Sequence, residues 1–275
     1  MDSARGIPGF FQATAGALFG FQVTPVEKPR ALAVYLPPHG EEMNRCRTLM
    51  ADQARVLAAR GIACTVLDYY GTGDSEGAFC AASWQTWQSD VAVVIEQLQQ
   101  RFGPLPIMLV GLRLGGLVAL DFVNTSPGIV SKLLLIQPVT NGSTYVNQLL
   151  RQRMAYLMSN DLPVEGTREL RERVERGESL EIGGYLFGCQ LLMTVDSKQL
   201  KDMTAVEGLD IIWMEQVSES GKEVSLGSRK AIDQLKAQRN TVDAVTFCDP
   251  PLWQLHERDS APKAVSALAA EEFIW

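Results

Sequence analysis

The sequence predicts an α/β fold in which a mainly parallel sheet carries helices on both faces. Three observations lead there. Short apolar runs of strand length alternate with longer segments whose apolar residues recur at helical spacing. Glycine-rich turns stand where several of the runs end. The composition is that of a globular chain: of 275 residues, 46% are hydrophobic and 21% charged, with mean hydropathy +0.00.

The elements follow in order. Residues 7–23 are apolar but interrupted by Gln12, Thr14 and Gln22, and only Asp2 and Arg5 are charged ahead of them. They read as the first strands of a sheet, with one strand over 17–23, and not as a secretion leader. A polar turn over 25–30 precedes a buried strand over 31–36, which ends at Pro37-Pro38-His39-Gly40. Cys46, Leu49, Met50, Val56 and Leu57 predict a helix over 44–60, stopped by Gly61. A strand over 63–68 empties into Gly71-Thr72-Gly73-Asp74-Ser75-Glu76-Gly77. Trp87, Val91, Val94, Ile95 and Leu98 mark a helix over 83–101. Next come a strand over 107–110, the turn Gly111-Leu112-Arg113-Leu114-Gly115-Gly116, a helix to Asn124 and a strand over 132–137.

From 143 to 208 there is no strong strand signal. Tyr145, Leu149, Leu150, Met154 and Leu157 make an apolar helical face, so this stretch is expected to be a helical cap insertion over the sheet. The α/β pattern then resumes with a strand over 210–216, a helix over 225–238, a strand over 242–248 and a helix over 261–273. The chain thus divides into the first half of the core (1–142), the cap insertion (143–208) and the rest of the core (209–275).

Charge and cysteine content exclude several classes. Lys and Arg number 25 against 32 Asp and Glu, a net charge of −7, which disfavours a nucleic-acid partner. No run approaches the ~18–20 apolar residues of a membrane span. The five cysteines are odd in number and form no C-x-x-C, so neither a disulfide framework nor a zinc site is expected. A cytoplasmic protein with no cofactor and no metal is the expectation.

Chemistry is confined to few positions, since the only histidines are His39 and His256. Gly111-Leu112-Arg113-Leu114-Gly115 has the spacing of a G-x-S-x-G nucleophile elbow, whose small residues let a strand turn sharply into a helix and raise the middle side chain above the sheet. The middle residue is Arg113, which stays protonated and is a poor nucleophile. An ordinary strand-to-helix turn with a solvated arginine fits the same residues. His39-Gly40 has the form of a loop that supplies an oxyanion-hole N–H, here from Glu41, with Leu114 as the second donor. A plain β-to-α turn at Gly40 is the alternative. The acid of a triad is expected near the end of the 210–216 strand, where Glu215 and Glu219 stand, and its histidine late in the chain, where His256 stands. Each of these also reads as a solvated surface residue. Cys248-Asp249 suggests a thiol–acid pair, but no activating base is identified beside it. The candidate catalytic residues are therefore His39, His256 and Glu215. The candidate ligand-binding residues are His39, Gly40, Glu41, Arg113 and Leu114.

The His39-Gly40 loop, the 71–77 loop and the 111–116 turn occur in the order found in α/β-hydrolases, and the chain resembles that superfamily along nearly its whole length. Finer motifs are similar to the exosortase A system-associated hydrolases of the second type: Pro37-Pro38-His39-Gly40-Glu41-Glu42-Met43-Asn44, Gly111-Leu112-Arg113-Leu114-Gly115, Gln137-Pro138-Val139-Thr140-Asn141-Gly142 and Pro251-Leu252-Trp253-Gln254. The resemblance implies an α/β-hydrolase fold, a hydrolase label, and a bacterial protein encoded with exopolysaccharide or protein-sorting functions. The sequence departs from the superfamily at Arg113, which stands where a serine is usual, so catalytic roles do not carry over.

Two readings of the residues stay open. One is a hydrolase or acyltransferase acting on an ester or thioester, with water activated by His39 or His256 in place of the usual serine. The other is a pseudoenzyme that binds without catalysis: Arg113 at a helix N-terminus suits a carboxylate, a phosphate or a sugar-nucleotide diphosphate. Both expect a small anionic or acyl-bearing ligand. A guanidinium in an enclosed cleft needs a counter-charge, and Glu41, Glu42 or Glu215 is expected to supply it.

Overall fold

The computed structural model describes residues 5–254 and 259–271. Four apolar runs become wholly buried strands: β3 (Ala31–Leu36), β4 (Ile62–Leu67), β5 (Ile107–Leu112) and β6 (Lys132–Ile136). Burial on both faces is why they read as continuous hydrophobic runs and not as alternating ones. With β1 (Arg5–Gln12), β2 (Ala17–Thr24), β9 (Asp210–Gln216) and β10 (Thr241–Phe247) they form an eight-stranded sheet ordered β1-β2-β4-β3-β5-β6-β9-β10. The six strands from β4 to β10 in this order pair parallel, while β1 and β2 form an antiparallel hairpin at one edge. Pro8 stands in the middle of β1, opposite Phe21.

Helices cover both faces. On one, α1 (Glu41–Ala59) and α8 (Pro262–Ala270) pack on Ala33, Tyr35 and Val110. On the other, α2 (Trp84–Phe102), α3 (Leu114–Thr125) and α7 (Leu226–Ala237) pack on Leu32, Val34 and Leu109. Ser83 and Ser225 cap α2 and α7 by accepting the N–H of Thr86 and of Ser228, as their sequence positions suggest.

Between β6 and β9 lie α4 (Gly142–Ser159), α5 (Thr167–Glu175) and α6 (Cys189–Ser197). The sequence shows no strong strand here, yet β7 (Leu180–Ile182) and β8 (Tyr185–Phe187) pair as a hairpin. The cause is local. Gly183 and Gly184 both take positive φ, 59° and 83°, and so make the two-residue turn that antiparallel strands need. Leu150, Leu170, Phe187 and Leu191 from this segment join the same apolar cluster as α2 and α3. Lys198, just after α6, pairs with the buried Asp121 of α3 at 2.9 Å, and Asp121 also accepts the Trp84 indole N–H at 2.6 Å.

Two helices begin where function is sought. α1 starts at Glu41, three residues before the periodicity suggests, because Gly40 turns the chain at φ 60° and Glu41 and Glu42 suit a helix N-terminus. β5 runs on to Leu112, and α3 begins at once after Arg113. The chain leaves β3 for β4 on one side and crosses to β5 on the other. His39 and Arg113 therefore follow the carboxyl ends of the two strands at the point where strand order reverses, the place where open α/β sheets hold ligands.

Candidate functional site

Arg113 sits at the apex of the turn between β5 and α3 with φ 54° and ψ −118°. A side chain other than glycine is uncommon there, and the conformation costs about 1–3 kcal/mol unless its surroundings hold it. They do. The Arg113 N–H donates to the Ile136 carbonyl at 3.1 Å, and the Arg113 carbonyl accepts from Gly116 and Val139, both at 3.0 Å. The flanking glycines are compulsory: a Cβ on Gly115 would lie 1.9 Å from the Leu36 carbonyl oxygen, and one on Gly111 would lie 2.5 Å from the Gly116 Cα. The elbow is thus intact in backbone and carries a guanidinium at its tip.

That guanidinium is largely enclosed, with 13% of the side chain exposed. Its Nη2 donates to Glu42 Oε1 at 3.3 Å and its Nη1 to the Gln137 carbonyl at 3.4 Å, while Nε is buried without a partner. The Trp253 ring centre lies 5.4 Å from Cζ and the Tyr145 ring centre 6.0 Å, within range of a cation–π attraction. Gln137, whose carbonyl Arg113 meets, is itself held at φ 43° by its N–H to the Met214 carbonyl.

Glu42 links Arg113 to a second cluster. The Tyr145 hydroxyl donates to Glu42 Oε2 at 3.5 Å and lies 3.0 Å from His39 Nδ1. Burial pushes the Glu42 carboxyl up from its ordinary range, and Arg113 only partly offsets this. Burial pushes the His39 imidazole down to about 3, so the ring is neutral at ordinary pH. Its neighbours are the rings of Phe79, Trp87, Tyr145 and Phe187, with centroids 5.0–6.1 Å away. A cavity of about 490 Å³ opens above this cluster, and Arg113, Arg45, Glu42 and His39 line it together with Tyr145, Tyr185 and Trp253. Glu41 and Leu114 are the first residues of α1 and α3, whose leading N–H groups lack intrahelical partners.

The structure thus brings together His39, Gly40, Glu41 and Arg113 around the cavity, with Leu114 buried behind it. It does not bring Glu215 there. That carboxylate is buried on β9, where Oε1 accepts the Ser225 N–H at 2.9 Å and Oε2 the Trp213 indole N–H at 3.3 Å. A buried carboxylate is stabilised by such donors, and here they hold the loop before α7. The counter-charge of Arg113 is Glu42. Glu219 pairs with Lys222 on the surface. Asp249 is spent on the N-terminus of α8, accepting the N–H of Ala264 at 2.7 Å, which leaves Cys248 without the acid that the sequence suggests. His256 lies outside the described residues. The glycine loop after β4 is architectural: Asp68 Oδ2 accepts the Asp74 N–H at 2.9 Å and pairs with Arg47 at 3.0 Å. Among the described residues no group of three or more His, Cys, Asp or Glu could hold a metal ion.

Three side chains of the site were not legible as such. Tyr145 reads as one more apolar residue of a helix face. Trp253 stands in a short motif with no chemistry of its own. Tyr185 follows the Gly183-Gly184 pair, which is a hairpin signal and the one sign that could have located it.

The strand order and the elbow define the class, an α/β-hydrolase fold. The chain belongs to the Hydrolase_4 family, described as serine aminopeptidase, S33, whose model matches residues 27–176. It is 28% identical over 136 residues to the monoglyceride lipase of Homo sapiens and 26% identical over 160 residues to that of Mus musculus. These matches cover 49% and 58% of the chain, and the chain spans about half the length of these relatives, 44% and 52%. Among solved structures it is similar to Est1E from Butyrivibrio proteoclasticus with ferulic acid bound, with TM-score 0.68, 16% identity, and 95% and 96% of the two chains covered. It is also similar to a thermostable carboxyl esterase from Bacillus coagulans in complex with glycerol, with TM-score 0.59, 12% identity, and 90% and 91% covered. Likeness at these identities speaks for the fold.

Proposed function

We propose that this α/β-hydrolase-fold protein binds a small anionic ligand, a carboxylate or phosphate, at Arg113, and does not run serine ester chemistry. One observation carries the reading: the tip of an otherwise intact elbow is a guanidinium with an unpartnered, buried Nε beside a cavity of about 490 Å³. The leading N–H groups of α1 and α3 add positive potential at the same cavity, where Arg45 is paired with Glu41 and Arg113 with Glu42. An oxygen ligand in the cavity competes with Glu42 for the guanidinium. The segment 143–208 acts as the cap of this site, since Tyr145 and Tyr185 both come from it. The test is calorimetric titration of the native protein and Arg113→Ala with acetate and inorganic phosphate. Loss of one charged hydrogen bond, about 1.5–3 kcal/mol, weakens binding by roughly 10- to 150-fold. Equal affinity for the two proteins would end the reading.

A second reading has a specific observation behind it. Glu42 combines a raised carboxyl pKa with a place in the cleft beside the elbow, a combination that marks general bases. The relatives named lipase and esterase support an ester or thioester as substrate. In this reading Glu42 takes the proton of an attacking water, the role that His39, neutral and tied to Tyr145, leaves unfilled. Turnover of short acyl esters that disappears in Glu42→Gln would favour it over pure binding. The finer sequence resemblance supports a role alongside exosortase and exopolysaccharide functions, the cysteine content supports a cytoplasmic place, and altered exopolysaccharide output on deletion of the gene tests that role.

A further inference from the structure

The Arg113 guanidinium is already matched. Its Nη2 donates to Glu42 Oε1 at 3.3 Å, and both side chains line the cavity of about 490 Å³ while staying mostly enclosed, 13% and 19% exposed. An anion that binds Arg113 has to take this place from Glu42. The Glu42 carboxylate then loses its counter-charge without leaving the cavity wall.

Few charged or titratable groups face Glu42 among the described residues. On its own helix, Arg45 is committed to Glu41 at 3.4 Å and donates to the Trp253 carbonyl at 3.5 Å. Cys46 is a buried thiol pushed up to about 12 by its burial, hence neutral. From α4, the Tyr145 hydroxyl donates to Glu42 Oε2 at 3.5 Å, and burial holds it well above the usual phenol range, so it stays protonated. His39, in the loop before α1, lies 3.0 Å from that hydroxyl and is neutral as well. Arg113, from the turn between β5 and α3, is the cation that Glu42 faces most closely. The other cation near it is already paired.

We propose that an anion bound at Arg113 enters together with one proton, which Glu42 takes up at Oε1, so that the site holds a weak acid in its net uncharged form. The proposal rests on the anion-binding reading and adds the class of ligand and the way pH regulates its binding. An enclosed carboxylate stripped of its partner is strongly disfavoured while ionised, and a proton from solvent relieves it. The new O–H stands where the guanidinium bond was and donates to an oxygen of the ligand, as two carboxyls in one site hold a single proton between them. Tyr145 keeps its bond to Oε2. The burial that raises the Glu42 carboxyl works in the same direction. Binding therefore strengthens as pH falls, by up to about tenfold per pH unit wherever Glu42 is ionised in the free protein and protonated in the complex.

The experiment is calorimetric titration of the full chain with sodium acetate from about pH 6 to about pH 9, above acetate's own titration range. A pH-stat measurement counts the protons taken up on binding. Both are repeated on Arg113→Ala and Glu42→Gln. Native affinity is expected to fall roughly tenfold or more across this range, with uptake approaching one proton per acetate bound. Glu42→Gln cannot ionise, so it is expected to bind roughly tenfold or more tighter than the native protein at the upper end, with neither slope nor uptake. Native binding that needs Arg113 but is flat with pH and takes up no proton overturns the proposal and leaves the anion-binding reading standing. A slope that persists in Glu42→Gln also overturns it, because another group then takes the proton. Equal acetate affinity in Arg113→Ala and the native protein overturns the anion-binding reading itself, so the two failures are distinct.

Discussion

Arg113 and His39 show how little of a side chain's chemistry follows from its type alone. Replacing Arg113 by serine restores the sequence of a nucleophile elbow, but among the described residues no acid–histidine pair stands beside it. The Trp253 ring stands against the elbow tip, His39 is held neutral and turned to Tyr145, and Glu215 is committed to Ser225 and Trp213. A serine hydroxyl is barely ionised without a paired base. Arg113→Ser is therefore expected to turn over p-nitrophenyl esters no faster than the native protein, and brisk turnover would reveal a working acid–histidine pair. His39 carries a separate consequence for stability. The unfolded chain takes up its proton near pH 6.5, whereas the folded chain resists until about 3. The contribution of this neutral ring is thus complete above 6.5 and is lost as pH falls from there towards 3, by up to ~1.4 kcal/mol per pH unit. Glu42 and Asp90, whose carboxyls are raised by burial, act in the opposite sense. Urea denaturation of the native protein and His39→Asn between neutral pH and about pH 4 separates the effects. The variant should lose the His39 slope and keep the rest.

At the scale of elements, the turn from β5 to α3 is the most constrained part of the chain. Gly115→Ala forces a methyl group into the Leu36 carbonyl oxygen, which belongs to a buried strand and cannot yield. We expect a loss of about 2–4 kcal/mol in chemical denaturation, the upper range for overpacking. A near-neutral effect would mean that β3 can shift. The same turn marks how much was legible in the sequence. Its glycines and the apolar run before it located elbow, strand and helix, and the ends of β3 and β9 fell where the continuous apolar runs end. The start of α1 was missed because Glu41 and Glu42 are polar and leave no periodic trace. The β7–β8 hairpin was missed because each of its strands has only three residues, too few for alternation to stand out. The site was half legible. His39 and Arg113 announce themselves by their neighbours, but the pairing of Arg113 with Glu42 over Glu215 depends on which helix turn faces the cavity, and no spacing rule reveals that.

For the whole molecule, the apolar cluster that runs from β3 and β5 through α2 and α3 into α4, α6 and the hairpin binds the segment over the site to the sheet. Lys198 and Asp121 tie the same parts together. A segment that shares the core cannot melt by itself, so calorimetry is expected to show one transition with equal calorimetric and van't Hoff enthalpies. Two resolved transitions would show that the segment folds independently. The sheet also has rims. β1 lies at one, eight residues long, with Ile7 and Phe10 exposed. Such an edge is a template on which another chain can add a strand, the first step towards fibrous aggregates. Pro8 has no N–H to donate, and its ring crowds any strand that approaches. One imino acid at the boundary of the sheet thus removes a donor that a strand from another chain would need, a protection that matters most when the protein is concentrated.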